Sequence, residues 1–210
     1  MQGVRSPRNL AIAAAAVAVL AAAGPLAAAP AWACDAGKRL AAHRGHAHGH
    51  GRPPLAIGDS VMLGAADALA RAGFEVDAHG CRQMAAGLDL MRARARAGRL
   101  PHTVILALGT NWVITRADIR RALAIAGPAR VLVLVTPRES GGGSGRDAEV
   151  IRDAGRRHPD RIRVADWVRF AAGHGSWFSS ADGIHLGPAG AAGMVRLLRP
   201  YLRLERPPCP

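Results

Sequence analysis

The chain has 210 residues, 28 of them Lys or Arg against 15 Asp or Glu, for a formal net charge of +13, and only 4% of it is aromatic. Such basicity raises nucleic-acid binding, but no helix-turn-helix, zinc-finger or stacking-platform pattern accompanies it, and that class is set aside. The charge suits attraction to anionic cell-envelope polymers, and the length suits one domain.

Arg5 and Arg8 precede an unbroken apolar run of 14 residues, Leu10 to Ala23. Gly24 and Pro25 then break the helix, and Ala31-Trp32-Ala33 places small residues at cleavage offsets. The run falls short of the roughly 20 residues that span a bilayer, so residues 1–33 are expected to be a signal peptide rather than an anchor. Export with no stable membrane insertion follows. Removing the leader takes its two arginines, so +13 less 2 leaves +11 on residues 34–210. Cys34 after the cut raises a lipoprotein reading, which Ala31 and Trp32 fit poorly. Residues 34–54 are expected to be a flexible His/Gly/Pro-rich lead-in. His46, His48 and His50 alternate there, but no Cys or carboxylate nearby completes a metal site.

From Leu55 onward, short apolar runs alternate with helix-period segments. Leu55–Ile57 is a first strand, and Val61, Ala65, Ala68 and Ala72 recur at helical spacing until Gly73. Phe74–Ala78 is a second strand, followed by a helix with Met84, Leu88, Met91 and Ala95 on one face. Val104–Leu108, Val131–Val135 and Ile162–Ala165 are further strands, with helices near 117–126 and 148–157 between them. Pro188 opens a last helix that Pro200 closes. Five strands read without alternation imply a parallel sheet buried on both faces, hence a three-layer α/β/α domain over 55–210. The flavodoxin-like order 2-1-3-4-5 is expected, with chemistry beyond the carboxyl ends of the strands.

Three motifs stand at those ends. Gly58-Asp59-Ser60 follows the first strand, where Ser60 is either a nucleophile beside its own N–H or a helix cap. Gly109-Thr110-Asn111 follows the third strand, where the Asn111 amide either donates to an oxyanion or makes a local turn. Asp182 and His185 stand three apart before the last helix, a spacing that lets the carboxylate fix the imidazole tautomer. The alternative for that pair is decoration of a loop.

In this order, the motifs resemble the SGNH, or GDSL-like, hydrolase family from about Leu55 to Leu202. The resemblance implies a parallel α/β/α fold and ester hydrolysis or acyl transfer, with no metal or cofactor. Its four blocks map the catalytic serine to Ser60, the asparagine to Asn111, the acid to Asp182 and the base to His185. The second block, Asp77-Ala78-His79-Gly80-Cys81-Arg82-Gln83, is less clean. Gly80 is the glycine of the pattern, whereas counting back from Arg82-Gln83 puts Cys81 at the oxyanion-facing position. The implied oxyanion hole is Ser60, Gly80 or Cys81, and Asn111. The segments GDSVMLGAADAL and DGIHLGPAG are most similar to the extracellular domains of bacterial peptidoglycan O-acetyltransferases and their stand-alone relatives. Trp112 replaces a common glycine, and Gly187 replaces a threonine that caps the last helix.

The expected function is hydrolysis of small acyl esters, acetyl above all, on small-molecule or carbohydrate substrates of the cell envelope. O-acyl transfer to a wall sugar is the alternative, and a non-catalytic envelope binder is a weaker one. No second transmembrane segment is read in the 210 residues, so an acyl donor delivered in cis is not expected. Trp177 and Phe178 serve either a substrate groove or the core, and the loop 139–145 is a candidate mobile rim. Of the three cysteines, the pair Cys34–Cys209 is expected to be bridged, with Cys81 free at the catalytic edge.

Overall fold

The computed structural model describes residues 32–42, 51–139 and 145–204. The leader run, His46, His48, His50, Gly141 to Gly143 and Cys209 lie outside the described residues. Among the described residues six strands make one sheet: β1 (Gly37–Leu40), β2 (Leu55–Gly58), β3 (Glu75–His79), β4 (Thr103–Ala107), β5 (Val131–Val135) and β6 (Ile162–Ala165). Their order is β1-β3-β2-β4-β5-β6. The five from β2 onward are all parallel and follow the expected 2-1-3-4-5 order. Only β1 runs antiparallel, along β3.

Strand residues alternate between two apolar layers. Leu55, Ile57, Val104, Leu106, Leu132 and Leu134 face one side. There they meet the apolar faces of α4 (Met84–Arg96), α5 (Arg116–Ala126) and α6 (Arg146–Arg157). Ala56, Val76, Ile105 and Val133 face the other, against α3 (Ala66–Ala72), α7 (Trp167–Phe170) and α8 (Pro188–Leu198). Each of the large side chains buried this way contributes about 1.5–3 kcal/mol. A residue such as Leu106 therefore tolerates no truncation without a cavity cost. Both faces of the sheet are spent on the core, which leaves the strand ends for function.

Three expectations are corrected. The helix expected from Val61 to Ala72 is two pieces, α2 (Ser60–Leu63) and α3, separated at Gly64 and Ala65. Part of the expected flexible lead-in is ordered: a short α1 (Trp32–Asp35) leads into β1, which Arg39 anchors by an ion pair with buried Asp77 at 3.1 Å. The cysteine pairing also differs. Cys34 is bonded to Cys81, not to Cys209, and Cys81 is not free. Antiparallel register explains this: Gly37 pairs with His79, so the residues before β1 meet those after β3.

Candidate active site

Because β2 to β5 are parallel, the turns after Gly58, His79, Ala107 and Val135 leave the sheet at a single edge. The turn after β2 is held by Asp59. This buried carboxylate caps α2 by accepting from the Val61 N–H at 3.0 Å, and it accepts from the Thr110 N–H at 3.3 Å. Asp59 rather than Ser60 is therefore the cap, and the Ser60 hydroxyl is left for other partners. Burial pushes the Asp59 carboxyl above its ordinary range, against the pull of those two N–H donors.

Ser60 is half-buried, and its hydroxyl meets His185 Nε2 at 2.9 Å. His185 Nδ1 meets Asp182 Oδ2 at 2.7 Å. The other oxygen of Asp182 accepts from the N–H groups of Ile184 at 2.8 Å and His185 at 3.0 Å, forming a tight turn around the pair. Partial burial pushes the Asp182 carboxyl up, but hydrogen bonds from the His185 ring and these two N–H groups outweigh it and hold the group below the ordinary carboxylate range. The turn itself is pinned to the fold. Phe178 and Leu186 form a β-bridge, the Ser179 N–H donates to the His185 carbonyl at 2.7 Å, and Arg138 Nε donates to the Gly183 carbonyl at 2.9 Å.

Trp177 and Phe178 belong to the core. Trp177 stacks on Trp167 with centroids 5.8 Å apart and lies where a Cβ on Gly193 would stand. Arg138 packs 4.0 Å over the Phe178 ring. Trp112, next to Asn111 in the chain, is 68% exposed.

Asn111 follows a turn that requires glycine: Gly109 has φ +125°, and a Cβ there would meet Ile114 and Pro137 within 3.0 Å. The Asn111 amide nitrogen is buried and has no hydrogen-bond partner among the described residues, a state that costs free energy unless a ligand or water satisfies it. The Gly80 N–H, by contrast, is occupied, donating to the Ala36 carbonyl at 2.8 Å. Arg82 ties that turn to β2, donating from Nη1 to the Gly58 carbonyl at 3.1 Å and from Nη2 to Asp77 at 2.7 Å. Gly187 stands as the cap of α8 with no side-chain bond, and Pro188 takes the first helical position.

All the expected catalytic side chains thus converge on one edge. Asp59, Arg82 and Arg138 were not singled out from sequence. Asp59 had a usable signal, since a carboxylate directly before a helix is a strong cap. Arg82 stood in the sequence only as a landmark of the second block, and Arg138 had no signal, because it acts on a carbonyl distant in the chain. Among the described residues no cluster of His, Cys, Asp and Glu could hold a metal ion, and no helix is long and apolar enough to cross a membrane.

No protein-family model matches the chain. It is 31% identical over 148 residues to YrhL of Bacillus subtilis (strain 168), a peptidoglycan O-acetyltransferase by provisional assignment. That match takes in 69% of this chain but only 23% of the relative, so the chain spans about a quarter of it. Among solved structures, the C-terminal catalytic domain of Streptococcus pneumoniae peptidoglycan O-acetyltransferase A superposes with a TM-score of 0.58 at 23% identity, over 74% of this chain and 96% of that domain. A lipase/acylhydrolase from Enterococcus faecalis gives a TM-score of 0.52 at 18% identity, covering 74% of this chain and all of that one. A GDSL-like lipase from Bacteroides thetaiotaomicron VPI-5482 gives 0.51 at 14%, over 71% of this chain and 86% of that one. Sequence resemblance to the acetyltransferase and these superpositions show that the chain shares the α/β/α fold of the O-acetyltransferase catalytic domain, the acylhydrolase and the GDSL-like lipase.

Proposed function

We propose that the chain is an exported serine esterase that hydrolyses small acyl esters, acetyl above all, on cell-envelope carbohydrate. The observation that carries this reading is the continuous line from Ser60 Oγ through His185 to Asp182, at 2.9 and 2.7 Å. In the proposed cycle, His185 Nε2 takes the Ser60 proton as Oγ attacks the ester carbonyl. Asp182, held ionised, keeps the proton on Nδ1 and stabilises the imidazolium. His185 then protonates the leaving alcohol and afterwards activates water to release the acid. The developing oxyanion is met by the Ser60 N–H, an N–H from the turn at Gly80 and Cys81, and the unsatisfied Asn111 amide.

Exposure supports hydrolysis over transfer. The His185 side chain is 48% exposed, so water has direct access to an acylated Ser60, whereas transfer needs a water-poor site. Exposed Trp112 supports a carbohydrate alcohol, since an aromatic face beside the oxyanion amide is suited to a sugar ring. The apolar run after Arg5 and Arg8 and the Cys34–Cys81 disulfide both support export, because disulfides persist in oxidising compartments. The excess of positive charge would hold such an enzyme near anionic wall polymers.

O-acyl transfer to a wall sugar is the second reading, favoured by the two acetyltransferase relatives. Both readings are tested by supplying p-nitrophenyl acetate with and without millimolar chitooligosaccharide and resolving products by mass spectrometry. Free acetate is expected to exceed acetylated oligosaccharide. The reverse ratio would replace the esterase reading with the transferase.

A further inference from the structure

The turn after β3 contains an anomaly that the ester chemistry alone leaves unexplained. Cys81 is the one non-glycine residue with positive φ among those described, at +54°. Left-handed backbone suits glycine and is avoided by most other residues. Two long-range links hold it. Cys34 is bonded to Cys81 across 47 residues, and the Ala36 carbonyl accepts the neighbouring Gly80 N–H at 2.8 Å. Both links come from the segment that continues into β1, whose register with β3 brings it alongside.

The same contacts decide which backbone donor is available. Gly80 has given its N–H to Ala36, while the Cys81 N–H has no protein partner among the described residues. Arg82, the next residue, bonds the carbonyl of Gly58, two residues before Ser60, so the turn is fastened beside the candidate nucleophile. We propose that the Cys34–Cys81 disulfide is a positioning element of the active site. It holds Cys81 in the left-handed conformation that offers its N–H as the second oxyanion donor. Residues 34–40 thereby complete a site that the rest of the domain builds from Leu55 onward. This rests on the reading of Ser60 as nucleophile. Without the bridge, Cys81 would relax toward negative φ, rotating the flanking peptides relative to each other and moving the donor.

The test compares wild type with Cys34→Ser and with Cys34→Ser/Cys81→Gly, at a temperature where circular dichroism shows all three folded. Non-reducing peptide mapping should link Cys34 to Cys81 in wild type. Cys34→Ser is expected to lower kcat at least about tenfold, a fraction of the 10²–10³ lost with a whole oxyanion donor, and to change KM less than about twofold. Inactivation of the serine by a fluorophosphonate, whose adduct also places an oxygen in that hole, should slow in parallel. Glycine adopts positive φ unaided, so Cys34→Ser/Cys81→Gly should recover most of the lost kcat. A Cys34→Ser enzyme with wild-type kcat overturns the proposal, as does an equal loss in the double variant, which assigns the bond to general stability. Absence of the Cys34–Cys81 peptide overturns it alone. Absence of both turnover and phosphonate labelling in wild type overturns it together with the esterase reading.

Discussion

The two sides of the candidate site are built in opposite ways. Asp182 and His185 lie in one turn, and their geometry is set locally by that turn's own N–H groups. Asn111, Gly80 and Cys81 lie in two loops fixed from afar: Asp59 reaches Thr110 across 51 residues, Arg82 reaches Gly58 across 24, and Cys34 reaches Cys81 across 47. The Asp182–His185 pair can keep its internal geometry when distant packing changes, with Arg138 tying its turn to the sheet edge across 45 residues, while the oxyanion side is held almost wholly by such distant links. Mutations remote from the chemistry should therefore act on kcat through the oxyanion side.

Breaking the local side should have the largest effect. Asp182→Asn leaves the turn sterically intact but offers the imidazole the wrong tautomer, and kcat for p-nitrophenyl acetate should fall by about 10⁴. A loss below tenfold would mean that the turn alone orients His185. The depressed Asp182 carboxyl also bears on pH. It stays ionised through the ordinary carboxylate range, so wild type should show no acid limb of kcat/KM within that range that disappears in Asp182→Asn. Such a limb would mean that Asp182 titrates in the ordinary range and would contradict its depression.

On the long-range side, Asn111→Ala should lower kcat by about 10²–10³ with a smaller effect on KM, the pattern of a group that acts in the transition state. A pure KM effect would make the buried amide a substrate contact instead.

The smallest effect concerns Asp59, which links the Ser60 turn to the Asn111 loop. Its folded-state carboxyl is raised by burial, so its protonated form is favoured in the fold. Stability is therefore lost as pH rises from the unfolded value of about 3.9 through the higher folded value. Asp59→Asn keeps an oxygen acceptor but removes the titration. Its melting temperature should gain on wild type between pH 4 and pH 7, and parallel curves would contradict the assignment.

Legibility in the sequence followed the same division. The parallel sheet was readable because Val104 to Leu108 and Val131 to Val135 are unbroken apolar runs bounded by turn residues. Ser60, Asp182 and His185 were readable because each stands in a short local motif. β1 was not, since Gly-Lys-Arg-Leu carries no apolar alternation and forms a strand only because β3 offers it an open edge. The Cys34–Cys81 link was hidden with it, because the pairing depends on that antiparallel register. Arg82 and Arg138 were invisible as site residues for a related reason. An arginine that ends on a distant carbonyl looks like any other in a chain with 28 basic residues.

The central claim is that Ser60 forms a covalent acyl-enzyme under the control of His185. Its most direct test is intact-mass and peptide analysis of the protein after treatment with a fluorophosphonate, beside ester turnover of wild type and Ser60→Ala. One adduct is expected, located on the peptide containing Ser60, with no turnover in a Ser60→Ala protein that keeps its fold. Wild-type turnover in Ser60→Ala, or an adduct on another residue, would contradict it.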